Sequence, residues 1–302
     1  MVDTAAPPAA AVPAAGSPGW LSARTREVAG RVALYVIVVL FSLFAAMPFY
    51  IALIMSFKQS ADLTPVANNP FIFNLNPTTS QWNYLFTQTP FGRFALNTLL
   101  VGLVVVAITL LLGLPAAYSL ARLRLRFSGA LGIAIFLVYL IPPSLLFISM
   151  TRIVVYLHLE NSLLSLALIY PTITIPVSVW MLMGFFRSIP KEIEEQAMVD
   201  GLTRLSAFRR VMLPLVYPGI VAAVVFTFTL SASEFIYALA FISSSGQKTI
   251  SIGVPTELIR GDVYYWQALE ASAVITAIPI ALAFNMLLNR FITGFSLGAV
   301  KQ

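Results

Sequence analysis

The ionisable side chains of this chain concentrate in one stretch. Residues 187–218 hold Arg187, Lys191, Arg204, Arg209 and Arg210, five of the 18 basic residues, with Glu192, Glu194, Glu195 and Asp200, four of the 12 acidic ones. Paired carboxylates could act as acid and base only if they shared a face. Glu194 and Glu195 are adjacent, so on a helix they point apart, and a solvated face accounts for them. His158 is the only histidine, beside Glu160; a lone imidazole is more readily a solvated side chain than a metal ligand. The absence of cysteine excludes disulfides and thiolate metal sites. Gly246-Gln247-Lys248-Thr249 comes nearest to a phosphate-cradling loop but lacks the adjacent Gly-Lys. No catalytic residue and no metal site is predicted, and the chain is not expected to be an enzyme.

The elements that would position this polar stretch can be read from its spacing. Pro190 suits the first turn of a helix, where its missing N–H is no loss. Glu192, Glu194 and Glu195 follow at the end where carboxylates favour the helix dipole. Ile193 and Ala197 fall at i, i+4 on one face, and Gly201 is placed to end the helix. A second amphipathic piece carries Leu202, Leu205 and Phe208 before Leu213 and Pro214 open the next apolar run. An amphipathic hairpin lying on a membrane surface is one reading of this pattern.

The rest of the chain is 59% hydrophobic and 10% charged, against about a quarter charged in a soluble domain. The formal charge of +6 is dispersed between apolar runs, which argues against nucleic acid. Charge-free runs at 32–57, 94–121, 127–151, 161–186, 211–233 and 271–289 each approach or exceed the roughly 20 residues that cross a bilayer. Six spans place both termini on one side. Thirteen of the 18 basic residues fall on one side: Arg24, Arg26, Arg31, Arg122, Arg124, Arg126, Arg187, Lys191, Arg204, Arg209, Arg210, Arg290 and Lys301. By the positive-inside rule that side is the cytoplasm, and the 187–218 connector lies there. Residues 1–30, Ala- and Pro-rich at the start, are expected to be a disordered cytoplasmic tail before a transmembrane domain at 31–302.

Glu195-Gln196-Ala197-Met198-Val199-Asp200-Gly201, nine residues, then Val211-Met212-Leu213-Pro214, resembles the EAA loop of ABC-importer permeases. That pattern reads Glu-Ala-Ala, three residues, Gly, nine residues, a β-branched residue, any residue and Leu-Pro. Gln196 replaces the first Ala and Val211 the usual Ile. Arg290-Phe291-Ile292-Thr293-Gly294-Phe295-Ser296-Leu297-Gly298-Ala299-Val300-Lys301 is similar to the tail of the smaller permease in maltose-type carbohydrate importers. Ala116-Ala117-Tyr118-Ser119-Leu120-Ala121-Arg122 resembles another motif of that family. The likeness spans about residues 30–302.

This resemblance implies an all-α polytopic membrane protein of six transmembrane helices with the type I ABC-importer permease fold. It implies a permease subunit moving a sugar or sugar-like solute by alternating access across a bacterial or archaeal cytoplasmic (inner) membrane. The implied partners are a second permease, two ATPase subunits and an extracytoplasmic solute-binding protein; ATP and Mg belong to the ATPase. Glu194, Glu195, Ala197, Asp200, Gly201, Leu202, Phe208, Leu213 and Pro214 would form the ATPase-coupling surface, and Gly294, Gly298 and Lys301 the tail that reaches the ATPase.

Polar groups within spans mark a pathway. Glu234 is the acidic residue well inside an apolar stretch, and Thr227, Ser231 and Glu234 recur at i, i+4, i+7. Such a carboxylate lines a cavity, pairs with a cation or sits at the interface; Thr227 and Ser231 could equally hold helices together. Related permeases often carry Trp-Asn before this Glu, where Ala232-Ser233 stand here. Asn97, Ser272 and Thr276 are further pathway candidates, Asn97 alternatively a helix cap. The rival to an ATP-driven importer is an ion-coupled secondary transporter, which would carry its own midplane ion site. A membrane scaffold is a third reading.

Overall fold

The computed structural model describes residues 20–299 apart from Thr64, Val66, Arg124 and Leu125, and the side chains of Thr25 and of 27–286 apart from those and Ala283. Helix α1 (Trp20–Phe57) begins within the stretch expected to be a tail. The first 19 residues and the side chains of Arg24 and Arg26 lie outside the description. Up to Ile51 the chain forms one unit and from Ala52 a second. The described residues of the first belong to α1, whose apolar side chains, Val36 to Phe44 among them, are exposed. The most apolar 18-residue window within Glu27–Phe57 has a mean hydropathy of 2.5, which suits a surface facing lipid.

In the second unit, α2 (Ser60–Leu63) and α3 (Ser80–Thr87) shape a long connector. It is organised by a buried ion pair. Lys58 Nζ lies 3.3 Å from Asp62 Oδ2 and donates to the Asn69 carbonyl at 2.9 Å. The side-chain amides of Asn68 and Asn74 donate to Asp62 Oδ1 at 3.0 and 2.9 Å. Burial alone would raise the Asp62 carboxyl, but the Asn74 hydrogen bonds and the Lys58 ammonium hold it below its ordinary value. A depressed carboxylate contributes stability at neutral pH that is lost as pH falls below about 4 and through the folded pKa. The Asp62→Ala variant leaves Lys58 buried without its counter-ion. Limited proteolysis should cut its 58–78 segment at neutral pH, where the unaltered chain is cut there only on acidification.

The centre is built by α4 (Phe91–Arg122), followed by α5 (Ser128–Tyr139), α6 (Pro143–Tyr156), α7 (Leu163–Ile169) and α8 (Pro171–Ser188). Short α9 (Lys191–Val199), α10 (Arg204–Ala207) and α11 (Leu213–Leu215) lead to α12 (Tyr217–Ser233). Beyond it come α13 (Ile236–Phe241), α14 (Ile250–Leu258), a hairpin of β1 (Ile259–Arg260) and β2 (Val263–Tyr264), and α15 (Trp266–Ala299). Helices α4, α8 and α12 pack against one another, with α5 on α8 and α15 on α12. A Cβ at Gly102 of α4 would come within 2.6 Å of the Phe228 ring of α12, so only glycine permits that approach. Hydroxyl pairs join the same helices: Thr109 to Thr174 at 2.7 Å and Ser178 to Thr227 at 3.0 Å.

Two runs expected as single spans are bent. Four helical stretches among the described residues are long and apolar enough to cross a membrane, and two bent pairs bring the number to six if each is one span. The 127–151 run breaks into α5 and α6 at 91°, because Pro142 is extended (ψ 134) and precedes Pro143, a position that disfavours the helical region. The 211–233 run turns by 74° between Arg204–Leu215 and Tyr217–Ser233, where Pro214 and Pro218 withhold backbone donors.

Candidate functional site

The polar connector leaves α8 at Ser188 and re-enters the helical core at Tyr217. Helix α9 starts after Pro190, whose φ of −54 and ψ of 139 aim the chain into it, with Glu192 and Glu194 in its first turn. It ends in a paired C-terminal motif. The Gly201 N–H donates to the Met198 carbonyl and the Leu202 N–H to the Ala197 carbonyl, both at 3.1 Å, with Gly201 at φ +93. Thr203 then caps α10, its side-chain oxygen accepting the Ser206 N–H at 3.3 Å. A π-helical turn at Phe208–Met212 follows, with Met212 buried and Arg209 and Arg210 exposed; such turns are frequent at functional sites.

The inward face of α9 differs from the expected one. Ala197 is buried, but Ile193 is 40% exposed, and its place is taken by Glu194. A carboxylate can be buried if it is paired and hydrogen-bonded. Tyr118 donates its hydroxyl to Glu194 Oε1, and Arg122 Nε lies 3.6 Å from Glu194 Oε2. Arg122 Nη2 also donates to the Ile189 carbonyl at 2.6 Å. The Tyr118 ring packs 4.6 Å from that of Phe208 and 5.6 Å from that of Phe186. The solvated face predicted for both glutamates therefore belongs to Glu195 alone.

The outward side presents Glu195, Gln196, Val199, Asp200 and Gly201, followed by Arg204, Leu205, Arg209 and Arg210. Val199 is 86% and Leu205 58% exposed. Leu202, Phe208 and Leu213 are half-buried and Pro214 is exposed. Apolar side chains set among both signs of charge suit a protein partner. Among the described residues no cluster could hold a metal ion. In the tail, Gly294 and Gly298 lie in the backbone of α15, while Lys301 lies outside the described residues.

The polar residues within spans are engaged inside the chain. Thr227 bonds Ser178, and Ser231 donates to the Phe228 carbonyl at 2.9 Å. Ser272 and Thr276 donate to Leu269 and Ser272 carbonyls in their own helix. Asn97 is buried and donates to the Gly246 and Lys248 carbonyls at 3.0 and 2.9 Å, tying α4 to the 243–249 segment. Glu234 sits at the break after α12. Its carboxylate accepts the N–H groups of Tyr237 at 2.9 Å and Ala238 at 3.1 Å, capping α13. Sequence reasoning missed Tyr118, Arg122 and the Lys58–Asp62 pair as structural groups. Their signal was the i, i+4 spacing of each pair.

Residues 110–296 match the family model described as "Binding-protein-dependent transport system inner membrane component". The sulfoquinovosyl glycerol transport system permease protein of Agrobacterium fabrum is 32% identical over 249 residues, covering 82% of this chain and 85% of that one. The diacetylchitobiose uptake system permease protein of Streptomyces coelicolor is 30% identical over 277 residues, covering 91% and 99%. The fold is shared with a chain of a bacterial ABC transporter involved in the import of the acidic polysaccharide alginate. The TM-score is 0.73 at 18% identity, with 89% of this chain and 98% of that one covered.

Proposed function

Because the chain belongs to the family of binding-protein-dependent transport system inner membrane components, we propose that its 187–218 connector is the surface through which an ATPase subunit drives it. The chain is the permease subunit of an ABC importer, a transport protein rather than an enzyme. The solute is a sugar or sugar-like compound, a class supported by relatives named for sulfoquinovosyl glycerol and diacetylchitobiose. Family membership displaces the ion-coupled alternative. The working assembly adds a second permease, two ATPase subunits carrying ATP and Mg, and a solute-binding protein. Both termini and the connector face the cytoplasm of a bacterial or archaeal cell, on the side rich in Lys and Arg.

The observation that carries this reading is the two-sidedness of α9. Its inner face is fixed to α4 through Glu194, while its far end offers Val199, Asp200 and Gly201 outward. Closure of the ATPase dimer would displace that end, and the attached spans would open a central cavity alternately to either side. Such coupling needs contacts that differ between the two ATPase states. Glu195, Asp200 and Gly201 supply them, with the tail at Gly294, Gly298 and Lys301 as a second contact.

The cysteine-free sequence allows a direct test. In the membrane complex, Val199→Cys carrying a thiol-linked photo-crosslinker should yield an adduct with the ATPase subunit. Leu145→Cys in α6, also exposed, should not. No ATPase adduct from Val199→Cys would overturn the assignment of this surface.

A further inference from the structure

We propose that Tyr118, Arg122 and Glu194 form a strut that makes α9 move as one body with the adjoining ends of α4 and α8. Glu194 is then a positioning residue turned to the chain's own interior, not a contact with the ATPase. This inference rests on the coupling role given to the 187–218 connector.

A nine-residue helix such as α9 is not stable by itself. Its buried side chains are Glu194 and Ala197, so apolar packing holds it weakly. The firm attachments are polar. Glu194 is reached by the Tyr118 hydroxyl and by the Arg122 guanidinium, both from the last turns of α4. The same guanidinium donates to the Ile189 carbonyl, in the two-residue link between α8 and α9. One Arg thus joins the end of α4, the hinge ahead of α9 and α9 itself. Tyr118 further wedges its ring between Phe186 of α8 and Phe208 of the return segment.

Moving α9 while α4 and α8 stay in place would leave a buried carboxylate without its counter-charge, a strongly unfavourable state. A push on α9 is therefore passed to both helices.

The test uses the complete importer, purified with its partners and reconstituted in proteoliposomes, with uptake, ATP hydrolysis and ATPase-subunit retention measured together. Glu194→Gln keeps the shape and removes the charge; Tyr118→Phe removes only the hydroxyl. Both should retain the ATPase subunits, and for both the solute taken up per ATP hydrolysed should fall about tenfold, within the usual range of coupling energies. An altered ratio in an intact assembly is not what lost stability alone would produce. Should Glu194→Gln fail to assemble, Tyr118→Phe decides the matter. A wild-type ratio in Tyr118→Phe overturns the strut, as does loss of the ATPase subunits from Glu194→Gln while Tyr118→Phe transports normally. Parallel Glu195→Gln and Gly201→Val variants separate the two levels. If both keep the ATPase bound and transport normally, the coupling surface itself is wrong.

Discussion

Replacing Gly201 with valine should abolish uptake while leaving membrane insertion intact. Gly201 has φ +93, and a Cβ there would meet no atom within 4 Å. The obstacle is the backbone conformation, not space. A residue forced into this region costs about 1–3 kcal/mol, and a β-branched one is the least tolerant. The chain would relieve the strain by leaving the left-handed conformation, which breaks the bonds to the Ala197 and Met198 carbonyls and redirects everything after α9. Membrane immunoblots should show normal levels of Gly201→Val and solute uptake near background. Gly201→Asn, which tolerates the left-handed region, should keep most of the activity. Normal uptake by the valine variant would remove the α9 terminus from the mechanism.

Glu234→Leu should also lose most uptake, for a different reason. The Glu234 carboxylate satisfies two N–H groups in the first turns of α13, and removing such a cap costs about 0.5–2 kcal/mol. The consequence extends inward, because Tyr237, Ala238 and Phe241 of α13 are core residues packed with Val101 and Leu166. Glu234→Gln retains an acceptor oxygen and should transport within a few-fold of the unaltered chain. Measured side by side, the two variants separate cap from charge. If Gln is as inactive as Leu, the negative charge itself is used, as a pathway or gating residue would require.

The spans and both ends of α9 were legible in the sequence because their causes are local. Pro190 and Gly201 act through their own backbone preferences, and charge-free runs report directly on hydrocarbon thickness. What was not legible depends on partners distant in the chain. Glu194 and Glu195 are chemically identical neighbours; Tyr118, 76 residues before Glu194, and Arg122 decide which one turns inward. An Ile193–Ala197 stripe was the sensible apolar face until those partners were placed. Asn97 likewise reads as a cap or a pathway group until the Gly246 and Lys248 carbonyls arrive from 149 and 151 residues away. The bends were half-visible. Pro142-Pro143 marks the break between α5 and α6, but an uninterrupted apolar run hides how sharply the chain turns there. The buried Lys58–Asp62 pair had its one local signal in its i, i+4 spacing.

The most direct test of the central claim is an affinity purification of the tagged chain in mild detergent, with mass spectrometry and an ATPase assay. A Glu195→Ala Gly201→Val double variant is run beside it. The unaltered chain should bring down ATPase and second-permease subunits with ATP-hydrolysing activity, and the double variant should keep the permease partner while losing the ATPase. A double variant that retains a full complement of active ATPase would contradict the assignment of the 187–218 connector as the coupling surface.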